Sequence, residues 1–402
     1  MLERAFKGTP TYWLWLGFLV SIICMGFIAY VDQAQTGLTI TGMSRDVSWG
    51  FYIAQFTYLV GLAASGVMIV LPYYFHNYKK FKHLVIFGEF MAIAAVVMCM
   101  LFIVVDLGQP TRAMNVALHP TPNSVMFWDM TVLVGYLILN LVCGWVSLEC
   151  DRQSMPHPKW LRPVVYLSVV WAFSIHTVTA FLIQGLPGRH YWLTAIMAGR
   201  FLASAFCAGP AILLLVIMAM GKLTTFCPGR TAIKTLAKII TYAMCVNVFF
   251  FLLELFTAMY SGIPGHAHPI MYLFVGEHGH TEMVTWMWFA VFCAITCLAL
   301  LIPHKLRNNL NLLPISLILL ITSTWIDKGF GLLVGGFNPT PFETITPYMP
   351  TGQELMVAGG VYAIGALVVT ILFKVAVDVK AEVGASQKTA CGCDPEDCQC
   401  SE

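Results

Sequence analysis

Residues 84–105 read LVIFGEFMAIAAVVMCMLFIVV, and Glu89 is the one charged side chain among them. A helix rises about 1.5 Å per residue, so a run of this length can cross the hydrocarbon core of a bilayer, roughly 30 Å thick. The sequence therefore predicts an all-α polytopic membrane protein. Ten apolar runs of spanning length lie at about residues 12–31, 50–75, 84–105, 125–148, 163–184, 193–220, 238–260, 283–303, 312–334 and 355–377.

Composition supports the same fold class. Hydrophobic residues make up 58% of the 402 residues and charged residues 10%, far too little charge to cover the surface of a soluble chain of this length. The formal net charge of +2 argues against a nucleic-acid partner and leaves the lipid bilayer as the main environment. Because the first apolar run is long enough to span, we expect a first transmembrane helix there rather than a removable signal peptide.

Basic residues predict the orientation of the spans. The N-terminus, the even-numbered loops and the C-terminus together hold 17 of the 22 Lys and Arg residues. Cytoplasmic segments of membrane proteins carry such an excess of Lys and Arg, so both termini are predicted to be cytoplasmic. The chain itself is predicted to lie in the inner membrane. The odd-numbered loops are then the outer ones, and their Gly, Pro, aromatic and His content favours an ordered docking surface for a partner.

An internal repeat predicts how the helices are grouped. Gly108 and Pro110 after the third span align with Gly262 and Pro264 after the seventh, and the small residues of 59–66 align with those of 202–209. We therefore expect two parallel four-helix bundles, spans 2–5 and 6–9, a layout unlike that of inverted-repeat carriers. The predicted domains are 1–48 (N-terminal segment and first span), 49–186 (first bundle), 187–336 (second bundle), 337–380 (outer loop and tenth span) and 381–402 (cytoplasmic Cys-rich tail).

Several motifs resemble the NrfD/PsrC family of membrane subunits. They are Trp49-Gly-Phe-Tyr-Ile-Ala54, Val60-Gly-Leu-Ala63, Asp106-Leu-Gly-Gln-Pro-Thr-Arg112, Arg200-Phe-Leu-Ala-Ser-Ala-Phe-Cys-Ala-Gly209 and the segment from Gly336 to Thr351. The resemblance covers about spans 2–9, and the segment after the third span is its most specific part. The ten-span layout is most similar to family members associated with dissimilatory sulfur metabolism.

The resemblance implies a function and its partners. The chain would be an integral membrane subunit of a respiratory oxidoreductase complex, exchanging electrons between menaquinone or menaquinol and a docked iron–sulfur subunit. That ferredoxin-like periplasmic subunit would sit on the outer loops, with Asp106, Gln109 and Arg112 in the docking loop. Other membrane and cytochrome subunits would complete the complex, because this chain alone holds no complete redox chain.

The histidines argue against a haem in this chain. A membrane haem of the b type usually needs two axial His ligands deep within helices. Of the eleven histidines, only His176 lies well inside a predicted span. The resemblance implies an exchangeable menaquinone as the cofactor, with the iron–sulfur clusters in the partner.

Polar residues of the first bundle predict the quinone site. Quinol oxidation releases two electrons and two protons, so the site needs a hydrogen-bond partner for the ring oxygens and a proton acceptor. His suits the acceptor role because its ordinary pKa lies near neutrality. An alternative is that Asp129 and His176 simply pair and that the tyrosines belong to the interfacial aromatic belt. The candidates are Tyr52, Gln55, Tyr58, Asp129 and His176, all predicted near the outer ends of their spans.

Three further carboxylates are candidates for proton transfer. Glu89, Glu254 and Asp327 lie at different depths in the third, seventh and ninth predicted spans. Ionisable groups within a membrane are costly and mark function by default. The alternative is structural, with Glu254 or Asp327 pairing with Arg200 or Lys328 inside the second bundle.

Two loop or tail segments contain metal-binding residue types. The tail holds Cys391, Cys393, Cys398 and Cys400, whose thiolates could bind zinc or an iron–sulfur cluster, or simply lie in a flexible tail. The outer loop holds four His and Glu277 within residues 265–280, which suit either a metal site or a hydrogen-bonded docking loop.

Two other classes of function fit an apolar chain with parallel repeats. A secondary transporter would require a midplane cavity with broken helices, and the third and seventh spans contain no interior Gly-Pro break. A scaffold without a redox role would tolerate replacement of the polar residues around His176.

Overall fold

The computed structural model describes residues 2–76, 78–224, 226 and 228–390. Within these ranges, ten helices are long and apolar enough to cross a membrane, which confirms the predicted all-α multi-pass fold. The four tail cysteines lie outside the described residues. The ten helices are α1 Pro10–Thr36, α2 Phe51–Phe75, α3 Val85–Asp106, α4 Val125–Arg152, α5 Leu161–Gln184, α6 Met197–Leu223, α7 Arg230–Ser261, α8 Val284–Leu301, α9 Leu313–Phe337 and α10 Gly352–Glu382.

Local sequence signals explain several helix boundaries. At the start of α1, the hydroxyl of Thr9 accepts a hydrogen bond from the Tyr12 amide at 3.3 Å, and Pro10 occupies the first turn, where no amide hydrogen is needed. At the end of α7, Gly262 adopts the left-handed conformation with φ of 62°, which a residue with a Cβ rarely adopts. The chain then re-enters a short helix, Pro264–Phe274.

Helix α9 departs from regular α-helical geometry. Residues Trp325–Gly331 form a π-helical turn between two α-helical segments, Leu313–Thr324 and Leu332–Phe337. A π-helical turn inserts an extra residue into the helix and changes the direction of the side chains that follow it. Such turns occur frequently at functional sites, and this one lies in the middle of the molecule.

The spans pack in two rings. In the first ring, α2 and α4 each contact both α3 and α5. In the second ring, α6 and α8 each contact both α7 and α9. Helices α1 and α10 pack against each other, with α10 also lying on α3 and α4. The sequence repeat and the domain boundaries drawn from it stay predictions, because the pattern of neighbouring helices does not show that the two rings superimpose.

Small residues bring the two rings together along α2 and α6. A Cβ added at Gly209 of α6 would lie 3.0 Å from the carbonyl oxygen of Gly61 and 3.1 Å from Cα of Ser65, both on α2. A second close approach joins α2 to α3, where Gly66 and Gly88 face each other backbone to backbone. In lipid, where helices gain little from apolar burial, such close backbone contact is a main source of association.

The odd-numbered loops form a connected surface, which we call the long-loop face (residues 37–50, 107–124, 185–196, 262–283 and 338–351). The Arg189 guanidinium donates to the carbonyl oxygens of Asp46 and Phe337, each at 3.2 Å. The Tyr348 hydroxyl donates to Glu354 and accepts from the Phe51 amide, both at 2.6 Å. Burial and the Glu354 carboxylate raise the pKa of Tyr348, so its hydroxyl keeps the proton that makes the first of these bonds.

We expect Gly209→Val to destabilise the protein by about 1–3 kcal/mol, because the added side chain would separate α6 from α2. The matched control is Gly359→Val in α10, where an added Cβ would meet no atom within 4 Å. The measurement is the midpoint of thermal unfolding of the detergent-purified protein. Equal midpoints for the two variants would contradict the close packing of α2 on α6.

Candidate functional site

Tyr52 and Tyr58 of α2 lie inside the protein rather than at its lipid surface. Their exposed fractions are 0% and 5%, so the interfacial-belt interpretation does not describe them. The Tyr52 hydroxyl donates to Oε1 of Gln33 at 2.6 Å, and Gln33 in turn donates to the Val105 carbonyl at 2.7 Å. The Tyr58 hydroxyl lies 3.4 Å from the Ile321 carbonyl. Both hydroxyls therefore connect α2 to neighbouring helices.

Gln55 lies between these tyrosines and is fully buried. Its Oε1 accepts hydrogen bonds from Nε1 of Trp325 in the π-helical turn, at 2.8 Å, and from the Tyr362 hydroxyl of α10, at 2.6 Å. Its Nε2 is buried without a partner among the residues that the structure describes. The two hydrogen bonds to Oε1 fix the orientation of the Gln55 amide. Its Nε2 is therefore held in place with hydrogen atoms that it donates to no described residue.

His176 of α5 is also fully buried, and its contacts define its tautomer. Nδ1 lies 2.7 Å from the carbonyl oxygen of Ala172. A carbonyl oxygen can only accept, so Nδ1 carries the proton and Nε2 of the neutral ring carries the lone pair. Within the described ranges, Nε2 is buried with no hydrogen-bond partner. His176 therefore has an unpartnered ring nitrogen in the interior of the first bundle, and its role as a proton acceptor stays a prediction.

Asp129 of α4 is held by α5, but not through His176. The Thr179 hydroxyl donates to Oδ1 of Asp129 at 2.6 Å, and no bond between Asp129 and His176 is present in the described structure. The structural alternative, in which Asp129 and His176 simply pair with each other, is therefore wrong. Since Thr179 lies three residues after His176 on α5, one helical turn separates the imidazole from the carboxylate that Thr179 holds.

These groups share a depth in the half of the first bundle nearest the long-loop face. Gln55 and Asp129 each lie four residues after the first residue of their helices, and His176 lies eight residues before the last residue of α5. At 1.5 Å per residue, the three positions are roughly 6–12 Å from the helix ends. Gln55, Asp129 and His176 therefore lie at a similar depth, and Gln55 Nε2 and His176 Nε2 have no partner among the described residues.

The predicted docking residues differ in exposure. Asp106 ends α3 half-buried, and its Oδ1 has no hydrogen-bond partner in the described part of the chain. Gln109 and Arg112 are exposed, at the start and end of a 3-10 turn on the long-loop face. Gln109 and Arg112 are accessible to a partner, whereas Asp106 points partly into the protein. Their docking role stays a prediction.

The second bundle contains a buried ion cluster. Arg200 of α6 pairs with Glu254 of α7 and with both carboxylate oxygens of Asp327 in α9, the latter at 3.2 Å. This is the structural pairing that the sequence left open as an alternative. Lys328 instead donates to the Phe201 carbonyl at 3.3 Å, with its ammonium 4.3 Å from the Phe201 ring centroid. A role of Glu254 and Asp327 in proton transfer stays a prediction.

Glu89 stands apart from both clusters. It is the fifth residue of α3, at the end opposite the long-loop face, and is 4% exposed. Its Oε2 has no partner among the described residues and lies 3.5 Å from the position of a Cβ built on Gly144. It remains a candidate for proton transfer on its own, since no hydrogen bond in the described structure connects it to the other carboxylates.

Four residues of the site were not identified from the sequence: Gln33, Thr179, Trp325 and Tyr362. Trp325 and Tyr362 are typical lipid-facing or core aromatics, and only the structure shows their polar atoms turned toward Gln55. Gln33 had a usable signal, because an amide inside an apolar run must find a partner in the protein.

The histidine-rich loop is hydrogen-bonded rather than grouped around a metal. Nδ1 of His268 lies 2.7 Å from Glu343 and 3.6 Å from Glu277. The hydrogen bond to Glu343 raises the pKa of His268. No group of three or more metal-ligating side chains with suitable geometry occurs among the described residues.

Comparison with known proteins agrees with the multi-pass helical fold and identifies the family. The family description "Polysulphide reductase, NrfD" matches residues 39–338. A putative membrane subunit of a dimethyl sulfoxide reductase from Halobacterium salinarum is 26% identical, over 88% of this chain and 89% of the other. An Hdr-like menaquinol oxidoreductase integral membrane subunit of Archaeoglobus fulgidus is 25% identical over 69% and 67%. The menaquinone reductase integral membrane subunit of Nitratidesulfovibrio vulgaris is 21% identical over 90% and 91%.

We expect Arg200→Met to lower the free energy of unfolding by about 3–5 kcal/mol, because it leaves two buried carboxylates without their cation. Adding Glu254→Gln and Asp327→Asn to that variant should recover much of the loss. The control is Arg152→Met, which breaks the partly exposed pair with Glu149 at the end of α4 and should leave stability unchanged. Thermal unfolding of the purified variants tests this, and equal effects of the two single substitutions would exclude the buried cluster as a stabilising element.

Proposed function

This chain belongs to the polysulphide reductase NrfD family, and from that premise we propose that it is the quinone-reactive membrane subunit of a respiratory oxidoreductase complex. The observation that carries the proposal is His176, whose unprotonated Nε2 is buried and unpartnered in the first bundle. Two of its relatives are named as menaquinone or menaquinol oxidoreductase subunits, so menaquinone is the proposed ligand.

The donor set fits a quinone head group. A quinone ring carries two oxygens, which accept hydrogen bonds when oxidised and donate protons when reduced. Gln55 Nε2 can donate to one of these oxygens, and His176 Nε2 can accept a proton from one. The bonds from Trp325 and Tyr362 to Gln55 Oε1 keep the amide from rotating, so its donor stays directed at the ligand.

The residues around His176 can stabilise the proton that its Nε2 takes up from the quinol. Nδ1–H of His176 remains bonded to the Ala172 carbonyl, which fixes the ring and stabilises the doubly protonated imidazolium. Asp129, held by Thr179 on the same helix as His176, is a second proton acceptor in this bundle. The electrons leave the membrane subunit for its partner.

We place the iron–sulfur partner on the long-loop face. Hydrogen bonds through Arg189, Tyr348 and Glu354 hold the loops of this face together, which suits a docking surface of fixed shape. The 17 of 22 basic residues on the opposite side favour cytoplasmic termini, so this face would be the periplasmic one and the docked subunit ferredoxin-like.

The proposed setting is a complex of dissimilatory sulfur metabolism with further membrane and cytochrome subunits. The ten-span layout supports this setting, because it resembles that of the DsrP subunit of DsrMKJOP complexes. The family itself is broader, since the relatives include subunits named for dimethyl sulfoxide reductase and selenate reductase.

We expect His176→Ala to lower quinol-dependent electron transfer in the purified complex by about 10²-fold or more, because it removes the proton acceptor. The control is His304→Ala, an exposed residue at the opposite face whose imidazole bonds to Asn308. The measurement is turnover with a water-soluble menaquinol analogue, together with subunit stoichiometry. Normal turnover in an assembled His176→Ala complex would exclude His176 as the acceptor and favour the scaffold or transporter hypothesis.

We also expect Arg112→Glu to weaken retention of the iron–sulfur subunit by about tenfold, because it reverses an exposed charge in the proposed docking loop. Lys305→Glu makes the same charge change on the opposite face and serves as the control. The measurement is the amount of partner that co-purifies at increasing salt concentration. Equal retention by both variants would remove Arg112 from the interface.

A further inference from the structure

The second bundle contains an apolar cavity of about 280 Å³ between α7, α8 and α9. Its volume is close to the lower end of the range for small-molecule sites, roughly 300 Å³. The cavity reaches the lipid-facing surface, where Leu252 and Ile295 are 53% and 64% exposed. The aromatic rings of Phe251 and Phe274, 5.9 Å apart between centroids, form part of its wall.

Unused polar side chains line the inner end of the cavity. Asn247 is 9% exposed and Ser323 is 5% exposed, and both contribute to the cavity wall. Neither side chain makes a hydrogen bond to any residue in the described ranges, which is costly for a buried amide or hydroxyl. Asp327 closes the same end, with its carboxylate held by Arg200. The cavity therefore offers hydrogen bonds to a ligand that enters from the lipid.

Depth restricts the class of ligand. Asn247 lies 14 residues before the end of α7, and Asp327 lies ten residues before the end of α9, both ends being on the long-loop face. These positions are roughly 21 Å and 15 Å from those helix ends, well below the level of phospholipid head groups. The polar part of the ligand must therefore be small and uncharged, and the carboxylate of Asp327 further disfavours phosphate and fatty-acid groups.

A quinone ring meets each of these requirements. It is flat, apolar on both faces and small, and its isoprenoid chain can extend into the bilayer. The amide of Asn247 and the hydroxyl of Ser323 can each donate to a quinone oxygen or accept from a quinol hydroxyl. We propose that the cavity between α7, α8 and α9 is a second isoprenoid-quinone site, with Asn247 and Ser323 holding the ring oxygens.

This site is separate from the one proposed around His176. Helix α9 stands between them: the Ile321 carbonyl faces Tyr58 of α2, whereas Ser323 faces the cavity toward α8. The inference takes its ligand class from the proposed function but places the ligand at a different position. The two sites can therefore be distinguished by substitutions that touch only one of them.

The test is photolabelling of the purified complex, in lipid nanodiscs, with an azido-naphthoquinone, followed by mass-spectrometric mapping of the labelled peptides. We expect label on residues 244–252 and 287–295, displaced by unlabelled menaquinone. Asn247→Leu should reduce this label about tenfold, and His176→Ala should leave it unchanged. Asn140→Leu is the control, because the Asn140 amide already bonds to the Tyr136 carbonyl in the first bundle.

A second variant keeps the test decisive if Asn247→Leu does not assemble. Ala294→Phe fills the cavity without changing its polar end, and should also remove the label from α7 and α8. Absence of label from these helices in the wild type, or displacement by phospholipid but not by menaquinone, would overturn the second site. Loss of label from α2 and α5 alone would count against the site at His176 and leave this inference standing.

Discussion

Inside a bilayer a polar side chain has no water to bind, so each one must find its partner within the protein. Three polar side chains of the π-helical turn in α9 have such partners, and they extend from the helix in different directions. Trp325 donates to Gln55 in the first bundle, Asp327 pairs with Arg200 in the second, and Lys328 donates to the Phe201 carbonyl on α6. A regular α-helix would place residues 325 and 328 on one face, one turn apart. The turn therefore joins the polar networks of both bundles through one helix.

We base both proposed ligand sites on buried polar groups that have no partner among the described residues. Many buried polar atoms in the described part of the chain are paired, as Tyr52, Gln33 and Asp129 illustrate. The exceptions there include Gln55 Nε2, Ser65 Oγ and His176 Nε2 in the first bundle, and the unbonded side chains of Asn247 and Ser323 beside a lipid-open cavity in the second. Burying such groups costs free energy that a hydrogen-bonding ligand would recover. A lipid-soluble ring with two oxygens suits both places.

The sequence was sufficient for features that depend on length, composition and charge. All ten spans followed from apolar runs. The small residues at 59–66 and 202–209 permit close helix packing, but only the structure shows that α2 and α6 approach each other there. The pairing of Arg200 with Glu254 and Asp327 was one of two predicted alternatives, because a cation within lipid requires an anion.

The hydrogen-bond partners could not be predicted in the same way. A tyrosine near the end of a span is typical of the membrane interface whether its side chain faces lipid or protein. The sequence therefore did not predict that Tyr52 and Tyr58 are buried. The bond from Asp129 to Thr179 depends on the rotation of α4 against α5, which charge and hydropathy do not specify.

We propose that a quinone binds between Gln55 and His176 in the first bundle. An electron cryo-microscopy map of the assembled complex with a menaquinone analogue bound would test this most directly. We expect density for a ring within the first bundle, with its oxygens at hydrogen-bonding distance, about 2.7–3.2 Å, from His176 Nε2 and Gln55 Nε2. Density for the ring only outside the first bundle, with protein side chains filling the space beside His176, would contradict it.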